Sequence, residues 1–316
     1  MGWGLMFRRI TTLTCAAAVA GAALVGLTAG AGTAQADPGC PDVHWIGAAG
    51  SGERVDPTAD GGMGKVVYQS LRDLTQQLQR DGRTITAEAV DYPAVPVPDQ
   101  DGGVMAWAGF MSSVDAGAAA LGAQYASFSA LCPATKVVLA GYSQGAMVVH
   151  RNLQALADSP NVAAALLVAD GDRLPGDNVI SMGSANPGST KTLGVAQDWP
   201  ILAHAPAKLP LSIGSRAISV CDRGDAVCDY DPDADEVSPA AVAIHTSYAL
   251  STAGSGYAWT SPVYQLLGPS PTGPQGPLPG PDARAVNSTT APAGSNSAAS
   301  TATMASTAPA ADNPAR

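Results

Sequence analysis

Apolar positions along the chain change period several times, and each change marks an element. Across residues 64–80, Val66, Val67, Leu71, Leu74 and Leu78 recur at helical spacing, and Asp81-Gly82 closes the run, so a helix is predicted. Residues 104–131 are small and apolar at the same spacing and predict one long helix. Shorter apolar or alternating runs at 42–47, 84–90, 136–140, 162–169 and 217–221 predict strands, with a further helix over 145–157. Strands alternating with helices predict an α/β fold with a mostly parallel sheet covered on both faces. In such sheets the chemistry lies beyond the C-terminal strand ends. Ser51, Ser143 and the loop after Cys221 would fall on that edge. Residues 174–213 carry a loose pattern rich in Gly, Pro and Ser, with Trp199, Ile201, Leu202, Leu209 and Leu211 scattered through it. It reads equally as a lid or acyl-binding flap and as a long crossover.

Both ends of the 316-residue chain depart from this pattern. Arg8 and Arg9 precede an apolar run that ends in small residues and Ala34-Gln35-Ala36. This reads as a secretory signal peptide over 1–36, with an uncleaved anchor as the rival. No other stretch is expected to span a bilayer. From 269 to 316 the chain is first Pro/Gly-rich and then Ala/Ser/Thr-rich, a composition that cannot bury a core and is expected to be disordered. Asn287-Ser288-Thr289 in that tail fits a glycosylation sequon. One folded domain over 37–268 remains, with no internal repeat.

Loss of the leader removes two arginines and no acid, leaving 14 basic against 26 acidic side chains and a net charge of −12. So acidic a chain has no electrostatic footprint for nucleic acid. Four cysteines survive: Cys40, Cys132, Cys221 and Cys228. An even count in an exported chain points to two disulfides. Of the three possible pairings, Cys40–Cys132 with Cys221–Cys228 is favoured.

The chemistry concentrates in Val137-Val138-Leu139-Ala140-Gly141-Tyr142-Ser143-Gln144-Gly145. An apolar strand running into Gly-x-Ser-x-Gly and then a helix is the pattern of a nucleophile elbow, with Ser143 at its apex and the Gln144 amide aimed at an oxyanion. A serine nucleophile needs a base and an orienting acid. Of four histidines, His44 lies inside a strand and His150 two helical turns past the serine, so both read as structural. His204 precedes the best acid, which leaves His245 as the base. Asp225 is the acid, inside Cys221-Asp222-Arg223-Gly224-Asp225-Ala226-Val227-Cys228. The competing Asp222, Asp229, Asp231, Asp233 and Asp235 read mostly as solvated surface. Asp229, Asp231 and Asp233 are spaced like a calcium loop, but Ala234 stands where glycine is required and the closing glutamate is missing, so no metal site is expected.

Cys-x-x-Gly-Asp-x-Val-Cys, Gly-Tyr-Ser-Gln-Gly and a late histidine together resemble the cutinase family, most closely its actinobacterial cutinase-like esterases, over 40–267. The resemblance implies an α/β-hydrolase fold of the cutinase type. It places the nucleophile on Ser143, the acid on Asp225 and the base on His245. It puts the oxyanion donors on Gln144 and on Ser51 of Ala48-Ala49-Gly50-Ser51, where Ala49 replaces the family's arginine. The family's two disulfides agree with the favoured pairing. The expected protein is a secreted, cell-wall-associated monomer that hydrolyses short- to medium-chain fatty-acid esters, lipids or polyesters, with peripheral contact to a lipid surface or cell envelope. It would use no cofactor. The rivals are a phospholipase or acyltransferase on the same triad, and a non-catalytic envelope-binding protein.

Overall fold

The computed structural model describes residues 39–99, 103–188, 193–199, 208–234, 237–250 and 257–270. Residues 1–38, which include the expected signal peptide, the tail with its sequon, His204 and Asp235 lie outside the described residues. In chain order the elements are β1 (Val43–Ala48), α1 (Lys65–Arg80), β2 (Ile85–Ala89), α2 (Gly103–Leu131), β3 (Lys136–Tyr142) and α3 (Gln144–Leu153). They continue with β4 (Val162–Val168), β5 (Ile180–Met182), α4 (Leu211–Gly214), β6 (Ala217–Val220), α5 (Pro239–His245) and α6 (Thr260–Leu266). The strands form one parallel sheet in the order β2-β1-β3-β4-β6-β5.

Alternation along β3 shows how the sheet divides the core. Val137 and Leu139 pack with Val114, Leu121, Val148 and Val149 of α2 and α3 on one face. Val138, Ala140 and Tyr142 point the other way, into a core with Val66, Leu74 and Leu78 of α1 and Val263 of α6. Side chains of a strand alternate faces, so a strand buried on both sides must be apolar at nearly every position, as β3 is. The chain winds from β1 outward to β2, then returns to place β3 on the other side of β1. A crevice opens beyond the strand ends at such a switch point. Ser51 follows β1 there, and Ser143 follows β3.

Three sequence expectations change. By length and composition α2 could cross a membrane, contrary to the expectation that nothing past the leader could. Its Phe110, Val114, Leu121 and Tyr125 are buried in the core beside α3, so here its apolar character serves packing. The loose segment contains β5 and α4 and passes from one side of β6 to the other, with Leu193–Tyr230 bridged antiparallel. Its described part is therefore a tethered crossover. Asp229 is buried, not solvated, and accepts from the Gly224 N–H at 2.9 Å.

The disulfides join Cys40 to Cys132 and Cys221 to Cys228. The first spans 92 residues and ties the chain entering β1 to the end of α2. In the chain-entropy model it contributes about 4–5 kcal/mol by restricting the unfolded chain. The second spans 7 and shapes a loop at the end of β6.

His44 and His150 are both structural. His44 is buried in β1, hydrogen-bonds Thr86 and Glu88 at 2.9 Å each, and stacks on Phe128 at 3.6 Å. His150 is buried in α3 with its Nδ1 2.6 Å from Asp170 Oδ2. Burial alone would favour the neutral imidazole, but the Asp170 carboxylate and the more distant Asp172 and Asp177 prevail and raise its pKa to about 9. A raised histidine pKa stabilises the fold fully below the unfolded value near 6.5, and that contribution disappears as pH rises through 9. Over this window the protein should lose on the order of 3 kcal/mol of stability. Denaturant unfolding at pH 6.5, 8 and 9.5 checks this. A His150→Asn variant should show a flatter profile, and an equal decline in the variant would assign the loss to other groups.

Candidate active site

The turn from β3 into α3 is fixed by two glycines. A Cβ on Gly141 would lie 2.1 Å from the Gly145 carbonyl oxygen, and a Cβ on Gly145 would lie 2.2 Å from the Ala48 carbonyl oxygen. Neither backbone neighbour can yield, so only glycine lets β1, β3 and α3 meet this closely. Between them Ser143 adopts φ 53° and ψ −118°, a conformation that costs a non-glycine residue about 1–3 kcal/mol. The strain lifts the Ser143 side chain off the sheet edge. Its N–H is used by the Val168 carbonyl at 2.9 Å. Gln144 opens α3, so its own N–H has no partner within the helix and projects with the positive end of the helix dipole.

His245, the last residue of α5, reaches over this turn. Its Nε2 is 2.9 Å from Ser143 Oγ, and its Nδ1 is 3.0 and 3.1 Å from the two carboxylate oxygens of Asp225. The structure thus brings Ser143, His245 and Asp225 into one hydrogen-bonded line. Asp225 is fully buried, and its Oδ1 also accepts from the Val227 and Cys228 N–H groups at 2.7 and 3.0 Å. Burial pushes the carboxyl up, but hydrogen bonding to His245, its charge and the two amides outweigh this and hold the pKa below the usual value. Asp225 is therefore an anion at neutral pH, facing the imidazole.

Two further side chains shape the site, and the sequence reading did not pick them out. Tyr142 stacks under the imidazole at 5.3 Å and donates to the His245 carbonyl at 2.7 Å, so it fixes both ring and backbone of that residue. Glu53 accepts from the Gly50 N–H at 2.6 Å and from the Lys65 N–H at 3.1 Å, clamping the loop of Ser51 to the start of α1. Tyr92 adds a hydrogen bond to the Ala49 carbonyl. Tyr142 stood in the elbow motif itself, and Glu53 followed directly on Gly50-Ser51-Gly52; both positions were visible signals. Within that loop the Ser51 hydroxyl is buried and has no hydrogen-bond partner among the described residues. A buried, unpaired hydroxyl carries a penalty unless something else uses it.

A cavity of about 400 Å³ opens onto these groups, within the range that holds small organic ligands. Ser51, Ser143, Gln144 and His245 supply its polar edge, while Trp107, Phe110, Met147, Val195, Trp199 and Val242 are among its apolar walls. The site pairs a hydroxyl–imidazole–carboxylate line with a mostly apolar chamber.

A family model described as Cutinase matches residues 39–261. The chain belongs to the cutinase family. A cutinase of Kineococcus radiotolerans is 37% identical over 34% of this chain, a match that spans only 30% of that protein. A phospholipase, Culp4, of Mycobacterium tuberculosis is 29% identical over 70% of this chain and 80% of its own length. Among solved structures, a cutinase-like protein from Cryptococcus sp. superposes with a TM-score of 0.51 at 22% identity, covering 73% of this chain and 97% of that one. That likeness confirms the cutinase-type α/β-hydrolase fold, with helices on both faces of a parallel sheet.

Proposed function

We propose that this cutinase-family protein is a secreted carboxylic-ester hydrolase that works through Ser143, His245 and Asp225. The observation that carries the reading is the placement of His245 between Ser143 Oγ, 2.9 Å away, and the buried Asp225 carboxylate. Ser143 Oγ attacks the ester carbonyl while His245 Nε2 takes its proton, giving a tetrahedral oxyanion. The oxyanion accepts from the Gln144 N–H and the Ser51 hydroxyl. Collapse expels the alcohol, protonated by His245, and leaves Ser143 acylated. Water, deprotonated by His245, then adds to the acyl carbonyl, and the acid departs as Oγ recovers the proton. Asp225 holds Nδ1–H toward itself throughout, so that Nε2 is free to accept, and stabilises the imidazolium.

Two disulfides and a leader-like 1–36 support export, because disulfides persist in oxidising compartments. The apolar chamber supports fatty-acyl esters over charged substrates. The test is hydrolysis of p-nitrophenyl esters from acetate to palmitate together with covalent labelling by a fluorophosphonate. Turnover with labelling at Ser143 is expected; a folded, disulfide-intact protein inert to both would put the non-catalytic envelope-binding reading first. The relative Culp4 favours one second reading, a phospholipase on the same groups, and release of fatty acid from a phosphatidylcholine would select it.

The oxyanion assignment makes its own prediction. Ser51→Ala should lower kcat about 10²-fold with KM little changed, because the donor acts on charge that develops only in the transition state. A variant within threefold of the parent would remove Ser51 from the mechanism.

A further inference from the structure

Two indoles meet inside the chamber. Trp107 comes from the first turns of α2 and Trp199 from the crossover after β5. Both line the cavity that Ser143 opens into, and their rings touch edge to face at 5.0 Å and 67°. Phe110 backs Trp107 at 5.8 Å, one helical turn on. The contact therefore joins two walls of the cavity that no backbone hydrogen bond connects among the described residues.

Trp199 is held in place from behind. Its Nε1–H donates to the Tyr230 hydroxyl at 3.0 Å, and the two rings stand nearly perpendicular at 6.5 Å. Tyr230 in turn exchanges backbone hydrogen bonds with Leu193 at 3.1 and 2.9 Å, and the Val195 N–H donates to the Val227 carbonyl at 2.8 Å. Val227 lies two residues beyond Asp225, so the segment carrying Trp199 is laced to the loop that carries the acid. The lacing fixes the backbone that carries Trp199, and for the indole to swing out its hydrogen bond to Tyr230 and its ring contacts must break. A wall so fixed acts as a stop and not as a lid.

Resting on the esterase reading above, we infer that the Trp107–Trp199 pair sets the acyl-chain limit of this site. Esters whose linear acyl chain ends short of the indoles are bound in full, and longer chains meet a barrier that only displacement of an indole can relieve. The indoles then act on the acyl portion of the substrate, with the alcohol portion outside this subsite.

The experiment compares the parent with Trp107→Ala and Trp199→Ala on p-nitrophenyl esters from butyrate to palmitate, with active sites counted by fluorophosphonate labelling. A hydrophobic pocket discriminates roughly 10-fold or more per misfitting methylene. Each variant is therefore expected to raise the palmitate-to-butyrate ratio of kcat/KM at least about 10-fold, and Tyr230→Phe to raise it less. The ratio within one preparation is independent of how much protein folds. Ratios unchanged in both tryptophan variants, with Ser143 still labelled, would overturn the inference while leaving the esterase reading intact. Acetate esters of lengthening alcohols are assayed alongside, and a shift confined to them would also overturn it, since the stop would then act on the alcohol side. A parent that neither labels nor hydrolyses any ester sinks both.

Discussion

Replacing Ser143 by alanine is expected to lower kcat on p-nitrophenyl butyrate by on the order of 10⁶-fold, to within the background of the reagent, while the protein folds as before. The size follows from the mechanism, since without Oγ there is no acyl-enzyme and His245 has no proton to move. The stability expectation follows from the geometry. Ser143 sits at φ 53°, where alanine is as strained as serine. Its N–H bond to Val168 and its place as the start of α3 use only backbone. Thermal midpoints of parent and variant should then agree within a few degrees, and fluorophosphonate should no longer attach. Residual turnover above about 1% of the parent, in protein free of parent contamination, would show that another group carries the chemistry. The phospholipase reading makes the same prediction on phosphatidylcholine, so the variant tests the nucleophile independently of the substrate.

Much of the framework was legible because it rests on strong local signals. The run Val137 to Ala140 had to be a strand buried on both faces, and the glycines after it had to be a tight turn, since nothing larger fits between the backbones of β1, β3 and α3. The spacing of Val66, Leu71, Leu74 and Leu78 showed one buried helix face, which α1 presents to the sheet. Elements whose shape is set by their surroundings were not legible. β5 is 3 residues long and only partly buried, too short for any period to register. α5 carries His245, yet none of its 7 residues is buried, so it has no apolar stripe to find. Its start was nevertheless signalled by Ser238-Pro239: the Ser238 hydroxyl accepts from the Ala241 N–H at 3.1 Å, and proline takes the first helical position. The buried Asp229 was read as surface because its neighbours Asp231 and Asp233 are exposed, and composition cannot separate one acid from the next. The cavity was invisible for a related reason. Trp107, Met147, Val195 and Trp199 are scattered over more than ninety positions, and only the three-dimensional crossover collects them.

Asp225→Asn is the second large effect, expected at about 10³–10⁴-fold in kcat with KM nearly unchanged. The amide keeps its oxygen on the Val227 and Cys228 N–H groups, so the disulfide-closed loop retains its shape and the change is nearly isosteric. What changes is the group opposite His245 Nδ1. A carboxylate can only accept there, which places the imidazole proton on Nδ1 and leaves Nε2 free to receive the Ser143 proton. An amide NH₂ facing Nδ1 donates instead, and the proton moves to Nε2, where it points at Ser143 Oγ and blocks deprotonation. The imidazolium formed during reaction also loses a buried counter-charge. Both effects weigh on the transition state and not on substrate binding, which is why kcat should carry the loss. The rate of fluorophosphonate labelling should fall in step with kcat, because labelling uses the same proton transfer. Asp229→Asn is the control: Asp229 is buried just after the disulfide-closed loop and holds its Gly224, but it makes no contact with His245 among the described residues. It should lower stability more than turnover. If the two substitutions reduced kcat equally, the effect would belong to the loop, and Asp225 would lose its place as the acid.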